Sequence, residues 1–469
     1  MIRQLIVARA ADFPFLAPGR REEPKQLLIQ VGQRLRELLG GFRQPLDILG
    51  VPSVDWEVSL TQDVPTKLPP PKQLVISIGL EDLSSLEEFR KAVEDANNSS
   101  GDTAPFPGVG ADLSLAESEY FCPTSVDQLL FGDRNTAAAL TRSKVLEQRG
   151  LTGNGVNIVV IDEGFDATKV RNFGGGLIYR PTTQPGLTVQ PGGTTRGHGL
   201  MMIRNIIDAA PDATFYDVPL IPPRISNVTG FVADALGAFT QLRLIIGFLR
   251  QLGIPPWNGP WMLVNAWSIF NRSTEHPHGD YTENPHHPLN VIIDEMVDDG
   301  IDFVFAAGNC GQFCPDRRCG RLDVGPGSSI FGANSHPRVL TTGAVRTDVR
   351  WVGSSSEGPG QLRLSTRKPD LCAPSFFREV GDASLGNLSK PFVGDTGTPY
   401  TASTGTSAAC GLTAGIVGAI RSGWDQSTVR PDRLRYVLNK MARKTEGPGW
   451  NERLGHGIID VEATLSALP

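Results

Sequence analysis

Ser407 stands between Gly405-Thr406 and a run of small residues, Ala408-Ala409-Cys410-Gly411, that continues apolar through Ile420. Such a run suits a tightly packed helix, because small side chains let a helix pass close to a sheet. A serine at that helix's N-terminus meets amide groups and a dipole that favour developing negative charge, which suits a nucleophile. The same serine also suits a plain N-cap in front of a buried helix. Three other polar residues close apolar runs or open them. Asp162 ends the run Val156 to Ile161, and a carboxylate at the C-terminal end of a central parallel strand faces the crevice where ligands bind, or caps the following turn. His198 opens the run Leu200 to Ile207, as a base or as a helix cap. Asn309 follows Phe303 to Gly308.

Two further clusters carry ligand-type side chains. His276, His278, His286 and His287 lie near Glu275 and Asp280, but prolines interrupt them and their spacings fit no standard metal site. Cys310, Cys314 and Cys319 are close enough to hold zinc with a fourth ligand, to pair as Cys314–Cys319 if oxidised, or to remain three thiols.

These residues need a large scaffold, and 469 residues with 40% hydrophobic content supply one of two or three domains. The formal charge of -6 comes without any block of like charge, which gives no footprint for nucleic acid or an anionic membrane surface. No apolar run is expected to approach the roughly 18 residues of a spanning helix. Arg9 and Asp12 interrupt the N-terminal stretch too early for a secretory core. With six cysteines and no export signal, thiols and a cytoplasmic protein are the expectation.

Residues 1–120 read as a smaller α+β domain. Strands are expected at 4–8, 56–60 and 73–78, helices at 23–39 and 84–96, and a fourth strand near 113–121. Residues 97–102 and the prolines behind them read as a loop. From 135 to 469 strands alternate with helices. Strands are expected at 156–161, 213–218, 262–267 and 303–307, and helices at 136–149, from His198, at 232–252 and at 291–298. That alternation gives an α/β fold with a mostly parallel sheet.

Together the segments resemble the subtilisin family of serine endopeptidases, the subtilases, over residues 135–469. Val159-Val160-Ile161-Asp162-Glu163-Gly164, Gly197-His198-Gly199, Phe305-Ala306-Ala307-Gly308-Asn309 and Gly405-Thr406-Ser407-Ala408-Ala409 are similar to that family's aspartate, histidine, oxyanion-asparagine and serine segments, in that order. The resemblance implies a doubly wound sheet with helices on both faces. It implies Ser407 as nucleophile, His198 as its base and then acid, Asp162 as the group orienting the imidazole, and the Asn309 amide with the Ser407 N–H as oxyanion hole. It also places Leu263, Val264, Asn265, Ala266, Trp267 and Ser268 beside a bound peptide that pairs as an added strand, with Ala306, Ala307 and Gly308 lining the same cleft. No cofactor is implied for bond breaking; structural calcium is common in the family, but no ligand spacing locates a site here.

Three positions depart from the family pattern. Glu163 stands where serine or threonine is usual, Leu200-Met201 replace a threonine and a second histidine, and Cys410 replaces a proline. None removes a bond-making group. A catalytically silent peptide-binding homologue and an esterase with the same triad are the other readings. Residues 1–120 resemble the propeptide of secreted subtilases in element order but are longer, so the segment is expected either to be removed by self-cleavage or to be retained as a docking or regulatory domain, with a cleft-associated internal inhibitor favoured.

Overall fold

The computed structural model describes the chain except residues 17–22, 65–68, 117–129, 185, 196, 222–226, 229, 362, 380–391, 394–398 and 446. The N-terminal part contains β1 (Ile2–Arg9), α1 (Pro24–Leu38), β2 (Leu46–Gly50), β3 (Trp56–Leu60), β4 (Gln73–Leu80), α2 (Leu83–Ser100), β5 (Gly108–Ala111) and β6 (Leu115–Ala116). The larger part continues with α3 (Arg134–Thr141), α4 (Lys144–Gln148), β7 (Asn157–Asp162), β8 (Asn172–Tyr179), α5 (His198–Ile207), β9 (Thr214–Pro219), β10 (Asn227–Val228), α6 (Phe231–Gln251), β11 (Trp261–Asn265), α7 (Pro288–Asp298), β12 (Ile301–Ala306), β13 (Leu340–Val345), β14 (Leu371–Pro374), α8 (Gly405–Arg421), α9 (Pro431–Met441) and α10 (Val461–Ala467).

The main sheet has the order β14-β13-β12-β11-β7-β9-β8-β3. Every neighbouring pair is parallel except β3 with β8. Its central strands are buried on both faces, as their predominantly apolar content requires. One face packs on α6 and α7; the other packs on α5 and α8. The small residues of α8 make the second contact possible. A Cβ on Gly411 would lie 2.8 Å from the Asn205 Cβ, one on Gly415 2.5 Å from the Ile206 carbonyl oxygen, and one on Gly418 2.8 Å from Ile158.

The N-terminal part forms a four-stranded antiparallel sheet, β2-β4-β1-β5. Leu5, Val7 and Val75 turn toward α6 and α7, while Ile6, Ile76 and Ile78 pack with α1 and α2. The period-2 pattern of these strands thus has a partner on each side. Three sequence expectations change. The fourth strand of this sheet is β5, ahead of the expected stretch; that stretch holds the two-residue β6, which pairs elsewhere, and its residues 117–121 lie outside those described. Trp56–Leu60 is a strand, but it joins the edge of the main sheet, where Trp56 packs on Tyr179 at 4.6 Å between ring centroids. The helix expected at 136–149 is two helices, because Arg142 takes the left-handed conformation at φ 57°.

Only α6, among the described residues, is long and apolar enough to span a bilayer, although Gln241 and Arg243 interrupt its run; 67% of its most apolar stretch is buried, as in a core helix.

Candidate active site

β7 ends on Asp162, and the fold brings its fully buried carboxylate to the first residue of α5, beyond β8 in the chain. The His198 imidazole binds it through Nδ1, 2.8 Å from both Oδ1 and Oδ2. A carboxylate accepts only, so Nδ1 carries the proton and Nε2 is left as the basic nitrogen of a neutral ring. Burial by itself pulls the His198 pKa down. The charge and hydrogen bond of Asp162, with the charge of Glu163, outweigh it against opposition from Arg318, and the net shift is upward.

Glu163 is the next residue. Its Oε2 accepts from the His198 backbone N–H at 2.9 Å, in place of the missing side chain of the N-cap Gly197. Burial raises the Glu163 pKa, with His198 opposing and Asp162 adding to the rise. Asp217 on β9, beside Asp162, is pushed up to about 7 by burial, although the N–H groups of Gly192 (2.7 Å) and Phe165 (3.3 Å) both donate to it.

Ser407 occupies the first turn of α8 and is 4% exposed. Its hydroxyl donates to the Ala266 carbonyl oxygen at 3.4 Å, long for an O–H···O bond, so the hydroxyl is not locked there. Asn309 follows β12 and Gly308, whose φ of 103° suits only glycine. The Asn309 Oδ1 accepts from Thr406 N at 3.1 Å and from Thr406 Oγ1 at 3.2 Å. The backbone N–H can only donate, which fixes the amide orientation and leaves Nδ2 as the outward donor. Thr406 Oγ1 also accepts from Gly308 N at 3.1 Å. One threonine therefore ties the serine turn to the asparagine turn.

The structure separates the residues assigned to peptide binding. Leu263, Val264 and Asn265 are inside the sheet, paired on one side with β7 and on the other with β12, so their backbones have no edge to offer a peptide. Ala266, Trp267 and Ser268 lie beyond the strand end; Trp267 is buried and donates from Nε1 to Asn265 Oδ1 at 3.1 Å. Ala306 pairs with Thr342, and Ala307 N donates to Thr342 O at 2.9 Å. An edge does exist at β10, where β6 pairs antiparallel with it, Asn227 with Ala116 and Val228 with Leu115. That strand was not singled out in the sequence, because a two-residue strand carries no periodicity.

The cysteine loop also differs from expectation. Cys310 and Cys319 form the disulfide, while Cys314 is an exposed thiol. The chain folds back through Asp316 N to Asn309 O at 2.9 Å, which returns Cys319 to the start of the loop, and Cys314 at φ 59° turns away. Arg318 in this loop pairs with Asp316 at 2.9 Å and lies 3.7 Å over the Phe270 ring. The histidine-rich loop is tied up locally. Glu275 accepts from Gly279, Tyr281 and Thr282 N–H groups, and His287 accepts from Leu289 N and contacts Ala111 O. Among the described residues no three His, Cys, Asp or Glu side chains are grouped to hold a metal, so no calcium site is assigned.

The Subtilase family model matches residues 259–457. That match and the relatives that follow support a subtilisin-like serine protease. Subtilisin E of Bacillus subtilis (strain 168) is 24% identical over 330 residues, 69% of this chain and 68% of the subtilisin. M-protease of Shouchella clausii is 22% identical over 67% of this chain and 65% of its own. Among solved structures, MycP1 from Mycobacterium smegmatis aligns with TM-score 0.50 and 19% identity over 76% of this chain and 90% of MycP1. Fervidolysin from Fervidobacterium pennivorans, a keratinolytic enzyme related to subtilisin, aligns with TM-score 0.53 and 14% identity, covering 100% of this chain and 61% of fervidolysin. At these identities the solved structures speak for the fold, which is a subtilisin-like sheet with a smaller N-terminal domain.

Proposed function

We propose that this subtilase cleaves peptide bonds within proteins with Ser407 as nucleophile, His198 as base, Asp162 as orienting acid and Asn309 as oxyanion donor. The observation that carries the reading is the 2.8 Å grip of Asp162 on His198 Nδ1, which makes Nε2 the basic nitrogen of the ring. On substrate binding the Ser407 hydroxyl leaves its long contact with Ala266 and donates to Nε2 as it attacks the carbonyl carbon. The tetrahedral oxyanion receives Asn309 Nδ2 and the Ser407 N–H, one of the first-turn amides that a helix leaves unpaired. His198 then protonates the leaving amine, and water repeats the cycle on the acyl-enzyme. No metal enters any of these steps.

The substrate is a protein or peptide, and its chain adds to β10 as an antiparallel strand. The support is the β6–β10 pairing, which shows that this edge accepts an extended segment. By the same token residues 1–120 act as an internal inhibitor. Leu115–Ala116 occupy the edge, and the segment just before them caps α6, with Leu113 O accepting from Val232 N at 3.2 Å and Asp112 Oδ1 from Ala233 N at 3.1 Å. The test is labelling with a fluorophosphonate probe and cleavage of casein. Wild-type chain that reacts while Ser407→Ala does not supports the reading; equal cleavage by both would sink it.

A further inference from the structure

We propose that Glu163 is a positioning residue for the base, holding the His198 main chain against the end of β7 and setting by its charge how readily the imidazole accepts a proton. The inference rests on the triad reading above. α5 begins at His198 behind Gly197, which has no side chain to satisfy the first helical amides. Glu163 reaches across from the end of β7 and accepts the His198 N–H at 2.9 Å. A Cβ at Gly197 would lie 2.5 Å from Glu163 Oε2, and Gly197 itself has φ 112°. A glycine there leaves room for the carboxylate and permits the turn.

Two consecutive residues, the last of β7 and the one after it, therefore grip the same histidine at two points. Asp162 takes the ring at Nδ1 and Glu163 takes the backbone. An imidazole held only at Nδ1 still pivots about that bond; fixing the backbone as well sets where Nε2 points relative to α8. Productive geometry is sensitive at this level, since a displacement of about 1 Å can cost roughly 100-fold in rate. The charges acting on the His198 ring come from Asp162 and Glu163 on the β7 side and from Arg318 in the disulfide loop; the first two stabilise the imidazolium and the third opposes it. Removing the Glu163 charge leaves the Asp162–Arg318 balance and lowers the proton affinity of the ring.

The test compares Glu163→Gln and Glu163→Ala with the full-length chain, on a short chromogenic peptide across pH. Glutamine keeps an acceptor for the His198 N–H and loses the charge; alanine loses both. The expected result is an acid limb of kcat/KM moved to lower pH in both variants. Only Glu163→Ala should also lose kcat, roughly 10- to 100-fold, with little change in KM. Thermal midpoints separate a folding defect, because a merely structural cap lowers stability without moving the limb. An unmoved acid limb in both variants, or an alanine variant with parental kcat, overturns the proposal. Wild type that fails to label with fluorophosphonate would instead overturn the triad reading beneath it.

Discussion

At the residue scale the four candidate groups are legible because each sits in a short local motif at the end of a strand or the start of a helix. Their partners are less so. The Glu163 bond to His198 spans 35 positions, and Thr406 holds Asn309 across 97; neither follows from spacing along the chain. The Cys310–Cys319 pairing depends in the same way on the loop folding back on Asn309 O. Asn309→Ala should lower kcat by about 10² to 10³ while KM moves little. That magnitude is the cost of removing the oxyanion asparagine of a bacterial subtilisin. Steady-state kinetics decide it, and a large rise in KM at unchanged kcat would exclude the oxyanion role. His198 gives a second expectation. Its pKa is raised, so the imidazole stays protonated and inactive to a higher pH than an unperturbed histidine of about 6.5. The acid limb of kcat/KM should therefore fall above that value; a limb below it would mean that burial, and not Asp162, controls the ring.

At the element scale, long periodic segments were readable and glycine-rich ones were not. α6 and α1 lie within a residue or so of their expected bounds, since their apolar spacing persists for several turns. β8 gave no signal, because Gly174-Gly175-Gly176 reads as a turn. In the sheet those glycines permit close approach: a Cβ on Gly176 would sit 1.9 Å from Asp217 O, and one on Gly175 2.0 Å from Ser59 O. The small-residue run of α8 was readable and has the same logic. Gly415→Ala would drive a methyl group to 2.5 Å from the backbone oxygen of Ile206, which no rotamer change relieves. The variant should lose about 1 to 3 kcal/mol of stability. A lower midpoint in calorimetry checks it, and α8 shifting away from α5 should also reduce turnover, since the two helices carry Ser407 and His198.

At the scale of the whole molecule, the two parts of the chain share a core and a sheet. Local strand patterns show that a face is apolar, not which helix or strand will cover it, and so Trp56–Leu60 was assigned to the wrong sheet. The junction also gathers carboxylates. Asp55 before β3, Asp112 after β5 and Asp234 on α6 lie together with Arg3 as cation and the Tyr179 hydroxyl as donor, at 3.3 Å to Asp234. Burial pushes Asp55 up to about 7, against the N–H of Thr182 at 2.9 Å. The sign follows from linkage. Below about pH 4 Asp55 is protonated folded or unfolded and costs nothing; as pH rises toward 7 the unfolded chain releases the proton and the folded chain retains it, so stability falls. Asp55→Asn keeps an acceptor for Thr182 and should raise the thermal midpoint at pH 8 but not at pH 4. Equal midpoints at pH 8 would show that the carboxyl is not buried as described.

The same junction governs what happens without residues 1–120. Their loss opens the core cluster that Leu236 and Phe239 on α6 and Leu289 and Ile293 on α7 share with Leu5, Val7 and Val75. It removes β3 and leaves β8 as an open edge, a template for aggregation. It also frees the first amides of α6, which Leu113 and Asp112 satisfy. A chain starting near Asn135 should therefore give little soluble protein. The fraction that folds should hydrolyse a short chromogenic peptide faster than the full chain, because β10 is no longer covered by β6. Residues 1–120, expressed separately and added back, should raise the soluble yield and lower that rate together, since one surface does both. A truncated chain that folds readily, with a rate the added piece leaves untouched, would reject inhibition and leave residues 1–120 as a docking domain.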